Sequence, residues 1–199
     1  MFTGIIEAIG EVVSLQGSTP GTYRLEIRTA LAIELKIGDS LSNNGCCLTV
    51  ASRTGDLIAF DLLTETTNRT NLGDLEPGSL LNLERPMPAN GRFNGHIVQG
   101  HIDSTARILA IEEHGQDHRI EIGLPKAFQQ YVVFKGSIAV NGISLTVADL
   151  TRKSFGVWII PHTWSVTNLH RLRSGDRVNL EFDLVAKYLE RITRTQTAE

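Results

Sequence analysis

The chain has 199 residues, is 41% hydrophobic and carries a net charge of −3. That length builds one large domain or two small ones with real cores, and that charge gives no field to gather nucleic acid or an anionic membrane surface. No stretch approaches the roughly 20 apolar residues of a membrane span, and two adjacent cysteines make no disulfide framework, so a soluble protein of the reducing cytosol is expected.

The first segment, "MFTGIIEAIGEVV", has no basic region, and Glu7 and Glu11 interrupt its apolar run, so it reads as mature protein rather than a signal peptide. Next, "TYRLEIR" alternates, with Tyr23, Leu25 and Ile27 on one face of a strand. "NNGCCLTV" follows at Asn43–Val50, and Asn-Gly between apolar runs is a hairpin-turn signal. On the strand after it, Leu48 and Val50 point inward while Cys47 and Thr49 point out.

The same octamer returns as "VNGISLTV" at Val140–Val147, and aligning Asn44 with Asn141 fixes an offset of 97. "NGCCLTVA" then matches "NGISLTVA" at six of eight positions. "TTNRTNL" (Thr66–Leu72) falls on "TWSVTNL" (Thr163–Leu169), and "GSLLNLE" (Gly78–Glu84) on "GDRVNLE" (Gly175–Glu181). With a two-residue gap, "YRLEI" falls on "HRIEI". Four ordered matches mean internal duplication, and one pair of long repeats means two pseudo-symmetric domains rather than a solenoid. "ERPMPANGRFNG" between them, rich in Pro, Gly and Asn, reads as the linker. The units are placed at 1–88 and 95–186, with a tail at 187–199.

Each unit reads as β: short alternating strands with frequent turn signals favour a sandwich or a small closed barrel, which also removes exposed edges. In the second unit "RVNLEF" puts Val178, Leu180 and Phe182 on one face. In the tail, "DLVAKYLERI" places Leu184, Val185, Tyr188, Leu189 and Ile192 at helical spacing. That stripe needs something to pack on: its own barrel, or copies of the chain.

The outward pair on each copy, Cys47 with Thr49 and Ser144 with Thr146, is where chemistry is expected. An exposed free thiol is a liability, so the pattern points to a site covered by something else. A Cys46–Cys47 bond would close a strained ring. Zinc would need further ligands, and the odd separation of His96 and His101 in "HIVQGH" puts them on opposite faces of a regular strand, so no metal is expected. A catalytic thiol near a histidine remains open. The copies also differ where they align: Cys47 against Ser144, Glu65 against His162, Ile5 against His101. Like-shaped pockets with unlike reactive groups would bind two molecules of one ligand and treat them differently.

"MFTGIIE", "NGCCLTV", "FDLLTETTNRTNLGDL", "GHIVQGHID", "FKGSIAVNGISLTV" and "IPHTWSVTNL" together resemble the riboflavin synthase family, of the trimeric, alpha-chain type, over nearly the whole chain. The resemblance implies an all-β fold of two tandem six-stranded antiparallel Greek-key barrels and a C-terminal helix that holds a homotrimer. It implies a transferase that dismutates two molecules of 6,7-dimethyl-8-ribityllumazine per site into riboflavin and 5-amino-6-ribitylaminouracil by four-carbon transfer. The site would lie between the N-terminal barrel of one subunit and the C-terminal barrel of its neighbour, and lumazine synthase is an implied partner. The substrate's 7-methyl group is acidic, so a modest base suffices: His101, assisted by Ser144 and Thr146. The second molecule accepts water or the Cys47 thiol. One substrate is oxidised at the other's expense, so neither redox cofactor nor metal is called for.

Carried over residue by residue, the N-terminal pocket takes Gly4, Ile5 and Ile6, then Cys47, Leu48 and Thr49, then Asp61, Leu62, Leu63, Thr64, Glu65 and Thr66. The C-terminal pocket takes Gly100, His101 and Ile102, Lys135, Ser144, Leu145 and Thr146, then Trp158, Ile159, Ile160, Pro161, His162 and Thr163. Phe2, Thr3 and Asp183 also match site positions. Leu48, Leu145 and Ile160 read as core residues that touch ligand through backbone, Asp183 reads equally as a helix N-cap, and a solvated loop lysine is the lesser alternative for Lys135. Two features depart from the family: Asn141 stands where many members carry Asp, and Trp158 and Trp164 stand where smaller side chains are common. A non-catalytic lumazine- or flavin-binding relative on the same fold is the alternative. A nucleic-acid-binding barrel is disfavoured by the acidic balance and only 6% aromatics.

Overall fold

Alternation of inward and outward side chains closes twelve strands into two barrels. The computed structural model describes residues 1–196, with side chains through 194, so the last three residues of the tail lie outside the described residues. The first barrel comprises β1 (Ala8–Thr19), β2 (Thr22–Arg28), β3 (Ser40–Asn43), β4 (Cys46–Thr54), β5 (Leu57–Leu63) and β6 (Leu80–Glu84), closed in the order β1-β2-β5-β4-β3-β6. The second repeats it with β7 (Ser104–His114), β8 (Asp117–Gly123), β9 (Ser137–Val140), β10 (Ile143–Leu150), β11 (Ser154–Ile159) and β12 (Arg177–Phe182). Every pairing is antiparallel, and register shifts at corresponding places, after Val50 in β4 and after Val147 in β10, bend the strands enough to close each barrel. Short helices α1 (Thr64–Arg69) and α2 (Pro161–Val166) follow β5 and β11, and α3 (Leu184–Gln196) ends the described chain.

Each barrel has its own core. Leu25, Ile27, Leu41, Phe60 and Leu83 fill the first, and Ile120, Ile122, Ile138, Phe155 and Leu180 the second. Tyr23 is partly buried beside Leu25 and Ile27, as the alternation of β2 requires. Strands of the first barrel end at Glu84 and those of the second begin at Ser104, while α3 starts at Leu184, directly after β12.

The two Asn-Gly turns are two-residue hairpins. Asn44 and Gly45 have φ of 47° and 82°, and Asn141 and Gly142 have 45° and 78°, the paired positive angles of a type I′ turn. The turns meet back to back: a Cβ on Gly45 would lie 2.8 Å from the Gly142 nitrogen, and one on Gly142 2.7 Å from that of Gly45. The duplication therefore has a physical centre, where only glycine fits.

Around that centre six buried asparagines, three from each copy, cross-link the barrels. Asn82 donates to the Asn141 carbonyl and Asn179 to the Asn44 carbonyl, at 3.0 and 2.9 Å. The side-chain oxygen of Asn82 accepts from the Asn168 N–H, and that of Asn179 from the Asn71 N–H, both at 2.7 Å. Asn141 Oδ1 accepts from Asn71 Nδ2 and the Asn179 N–H, while its own Nδ2 makes no bond, so a carboxylate there would keep both accepted bonds. The outer faces of β6 and β12 thus turn not to solvent but to buried partners: Asn82 and Asn179 to the other barrel, Glu84 and Glu181 to the segments at Thr3–Gly4 and Gln99–His101.

Candidate active site

Two segments outside the barrels build the walls. Phe2 and Val98 pair with each other, the Phe2 N–H donating at 2.7 Å and the Val98 N–H at 3.1 Å. From that bridge each segment continues onto the opposite unit. The Gly4 carbonyl accepts from the Ser144 N–H at 2.8 Å, and the Gly100 carbonyl accepts from the Cys47 N–H at 2.9 Å. Ile6 packs on the second core and Ile102 on the first. This corrects the grouping expected from sequence order: within one chain Gly4, Ile5 and Ile6 join Ser144, and Gly100, His101 and Ile102 join Cys47. Exchange of segments between domains leaves no periodic signal, because both copies exchange alike.

Both approaches require glycine. Gly4 and Gly100 have φ of +79° and +85°, and a Cβ on either would come within 2.6 Å of the Cβ of Ser144 or Cys47 respectively. Phe2 and Thr3 are buried in the seam, Phe2 against Val98, Ala139 and Cys47. Their place is behind the wall.

On the first wall, Cys47 is half-buried, Leu48 lies in the core and Thr49 is exposed, as alternation predicts. Cys46 faces inward at 8% exposure, and burial, with the fields of Cys47 and Glu181 adding, pushes its thiol up to about 12. Both cysteines are free. Val50 on β4 stands opposite Phe60 on β5, so Cys47–Thr49 and Asp61–Leu63 share one end of that hairpin. There Asp61 pairs with Arg24 at 2.9 Å, Leu62 is core and Leu63 is exposed. On α1 Thr64 and Thr66 are half-buried, and Glu65 pairs with Arg69 at 3.0 Å. His101 is exposed, its backbone N–H held by Glu181.

The second wall repeats this backbone with other chemistry. Ser144 and Leu145 are half-buried and Thr146 is exposed, and Ile5 stands where the first wall has His101. Val147 opposite Val157 brings Trp158 and Ile159 to the same end. Ile159 is the core residue here. Ile160, read from sequence as core, is 57% exposed, like its counterpart Leu63, because the strand ends there and turns into α2. Pro161 opens α2, with His162 exposed and Thr163 half-buried. Trp158 is nearly half exposed beside His114, ring centroids 4.9 Å apart, and Trp164 stacks on His118 at 3.7 Å.

Lys135 holds φ +65° where the first copy has Gly38, and both donate the same backbone bond, to Val147 and Val50. A lysine in this conformation carries strain of order 1–3 kcal/mol, and the turn that donates the same backbone bond in both copies imposes it. Asp183 caps α3, accepting from the Val185 N–H at 2.9 Å.

His96 joins the second wall, which periodicity did not suggest. Its Nδ1 lies 2.7 Å from Ser144 Oγ. Burial lowers its pKa, with the charge of Asp183 opposing. The segment carrying His96 and His101 is an irregular crossing, not a regular strand, so the parity that separated the two histidines does not apply. Gly95, whose Cβ would fall 2.1 Å from the Thr3 carbonyl oxygen, lets the chain enter.

In a single chain the walls are open surface. A cleft of about 830 Å³ in the seam, lined by Asn44, Asn141, Arg107 and Arg177 among others, includes none of the wall residues. Beside the walls Ile5, Leu63, Trp158 and Ile160 expose apolar surface. The helix α3 docks on its own barrel through polar contacts, Lys187 with Asp103 at 2.6 Å and Glu190 with Tyr131 and Gln130. Its apolar stripe, Val185, Tyr188, Leu189 and Ile192, is left more than half exposed.

The lumazine binding domain family matches the chain twice, at residues 3–86 and 99–183. A riboflavin synthase of Mycobacterium bovis is 46% identical, with 98% of this chain and 99% of the relative covered. Those of Actinobacillus pleuropneumoniae and Bacillus subtilis are 42% and 41% identical, covering 100% and 96% of this chain and 93% and 89% of the relatives. Among solved structures, LumP complexed with riboflavin superposes with a TM-score of 0.85 at 27% identity, and LumP complexed with 6,7-dimethyl-8-(1'-D-ribityl) lumazine with 0.83 at 26%. Each superposition covers 92% of this chain and 99% of LumP.

Proposed function

The chain belongs to the riboflavin synthase family, and from that premise we propose that it dismutates two molecules of 6,7-dimethyl-8-ribityllumazine into riboflavin and 5-amino-6-ribitylaminouracil. The observation that carries this reading is the pair of walls: one backbone built twice, with Cys47 and His101 on one copy and Ser144 and His96 on the other. A reaction between two identical molecules playing unlike parts needs that arrangement.

The atoms balance without additions, since the four-carbon unit lost by one lumazine is gained by the other. A base takes a proton from the 7-methyl group of one molecule. On the second wall His96, neutral because burial lowers its pKa, accepts a proton through or beside Ser144. His101, the base expected from sequence, serves the first wall within one chain and reaches the second only across a subunit contact. Cys47 or a water held by it adds to the acceptor molecule, and Cys46, kept a thiol by its high pKa, stays out of the chemistry. Holding two rings face to face supplies about 7–11 kcal/mol of barrier lowering.

The site is closed by assembly. The apolar stripe of α3 seats a homotrimer, which brings the first wall of one subunit over the second wall of the next and covers Ile5, Leu63, Trp158 and Ile160. A purely binding protein of the same fold is disfavoured by the complete reactive set and by the higher identity to curated synthases than to LumP. Purified protein given the lumazine alone, with chelator, forms riboflavin and the pyrimidine in equal amounts. A requirement for metal or nicotinamide would overturn the reading.

A further inference from the structure

Two buried carboxylates at matching places grip the exchanged segments. Glu84, at the end of β6, accepts from the Thr3 N–H at 2.6 Å, the Thr3 hydroxyl at 2.9 Å and the Gly4 N–H at 3.0 Å. Glu181, on β12, accepts from the N–H groups of Gln99, Gly100 and His101 at 2.6, 2.9 and 3.1 Å. Three successive N–H groups converging on one carboxylate form an anion nest. Burial raises the pKa of both groups, and the N–H donors pull the other way.

The far side of each gripped segment belongs to the other barrel. Gly4, held by Glu84 of the first barrel, supports Ser144 of the second, and Gly100, held by Glu181 of the second, supports Cys47 of the first. We propose that Glu84 and Glu181 are crossed positioning residues: each sits in one barrel and sets the geometry of the pocket on the other. The proposal rests on the walls being the two halves of the substrate site. Neither carboxylate faces a wall, so neither is a catalytic residue. Each holds a backbone segment, and the segment places the reactive side chain.

Gln is nearly isosteric but presents an NH2 to one of the gripped N–H groups whichever way it turns, so the grip loosens. Hydrogen exchange in the full-length protein reads this directly. Glu181→Gln accelerates exchange of the Gln99–His101 amides and of the Cys47 amide at least tenfold, leaving Gly4 and Ser144 as in the parent. Glu84→Gln does the reverse. Co-refolding supplies an activity readout that general loss of stability would not produce. Glu181→Gln mixed with Ser144→Ala regains activity at least fivefold over either parent, and mixed with Cys47→Ser regains none; Glu84→Gln behaves the opposite way. The Asp variants keep the charge and recover part of the loss, and they carry the same crossed test if a Gln variant fails to fold. Exchange confined to each residue's own barrel, or a Glu181 variant that complements Cys47→Ser, would overturn the proposal. If Cys47→Ser and Ser144→Ala do not complement each other, the shared-site reading fails, and the exchange pattern alone still decides the crossing.

Discussion

The two barrels share a backbone and differ in what that backbone displays. Gly45 and Gly142, the six asparagines, Glu84 and Glu181, and Gly4 and Gly100 are matched pair by pair. The outward positions are not: Cys47 against Ser144, His101 against Ile5, Glu65 against His162, Gly38 against Lys135. Duplication preserves what closes the barrels and joins them, because a change there leaves a buried donor unpaired or drives a Cβ into backbone. Positions facing the walls carry no such constraint, and there the two copies differ. His96 adds the sharpest difference, since it reaches Ser144 from the irregular crossing between the two matched domains.

The largest expected effect lies on that difference. His96→Ala lowers kcat by about 10²–10⁴-fold, the usual span for a lost general base, and His96→Ala with Ser144→Ala costs little more than either alone. Additive losses in steady-state kinetics would separate the two residues. Because the His96 pKa is lowered from the ordinary 6.5, the acid limb of the rate profile falls below that pH. The sign for stability follows: as pH drops below 6.5 the unfolded chain takes up a proton that the folded chain still refuses, so this contribution is lost as pH falls through the lowered value.

The next tests whether unlike walls meet between subunits. Cys47→Ser and Ser144→Ala, each nearly inactive, regain activity well above either parent when unfolded and refolded together. No recovery would place both walls of a site in one chain. Deleting residues 184–199 removes the apolar stripe of α3, and sedimentation then shows monomers with both barrels folded. A surviving trimer would mean that the barrels carry the assembly.

Smaller effects test the matched part. Asn82→Ala and Asn179→Ala each strip partners from one buried carbonyl and one buried N–H, and each destabilises by about 2–4 kcal/mol in denaturant unfolding. Unequal costs would show that the seam is less symmetric than its hydrogen bonds. Smallest is Cys46→Val, a near volume-conserving change in the core, at less than about 1.5 kcal/mol and with little change in turnover.

Much of this was legible in the residues. The repeated octamer located both hairpin turns, alternation placed Cys47, Thr49, Ser144 and Thr146 outward, and helical spacing found α3, because each depends on neighbours in the chain. Parity parted His96 and His101 for the wrong reason, since their segment obeys no strand period and hydrogen bonds to distant residues carry the two to different walls. Ile160 was misread for a related reason: a strand's inward face ends where the strand ends.

The sequence by itself determined the duplication, the β class and the outward pairs Cys47 with Thr49 and Ser144 with Thr146, all of which rest on local periodicity and on comparison of one half with the other. The tertiary structure decided which segment completes which wall, that the polar faces of β6 and β12 are a seam rather than a solvent surface, and that the polar face of α3 docks while its apolar stripe is left over. These depend on where buried N–H groups find acceptors, and Glu84 finds its partners 81 residues away at Thr3. A pattern repeated identically in both copies says that such a bond exists twice, but only three-dimensional packing shows that each gripped segment goes on to bond the other barrel, Gly4 to Ser144 and Gly100 to Cys47.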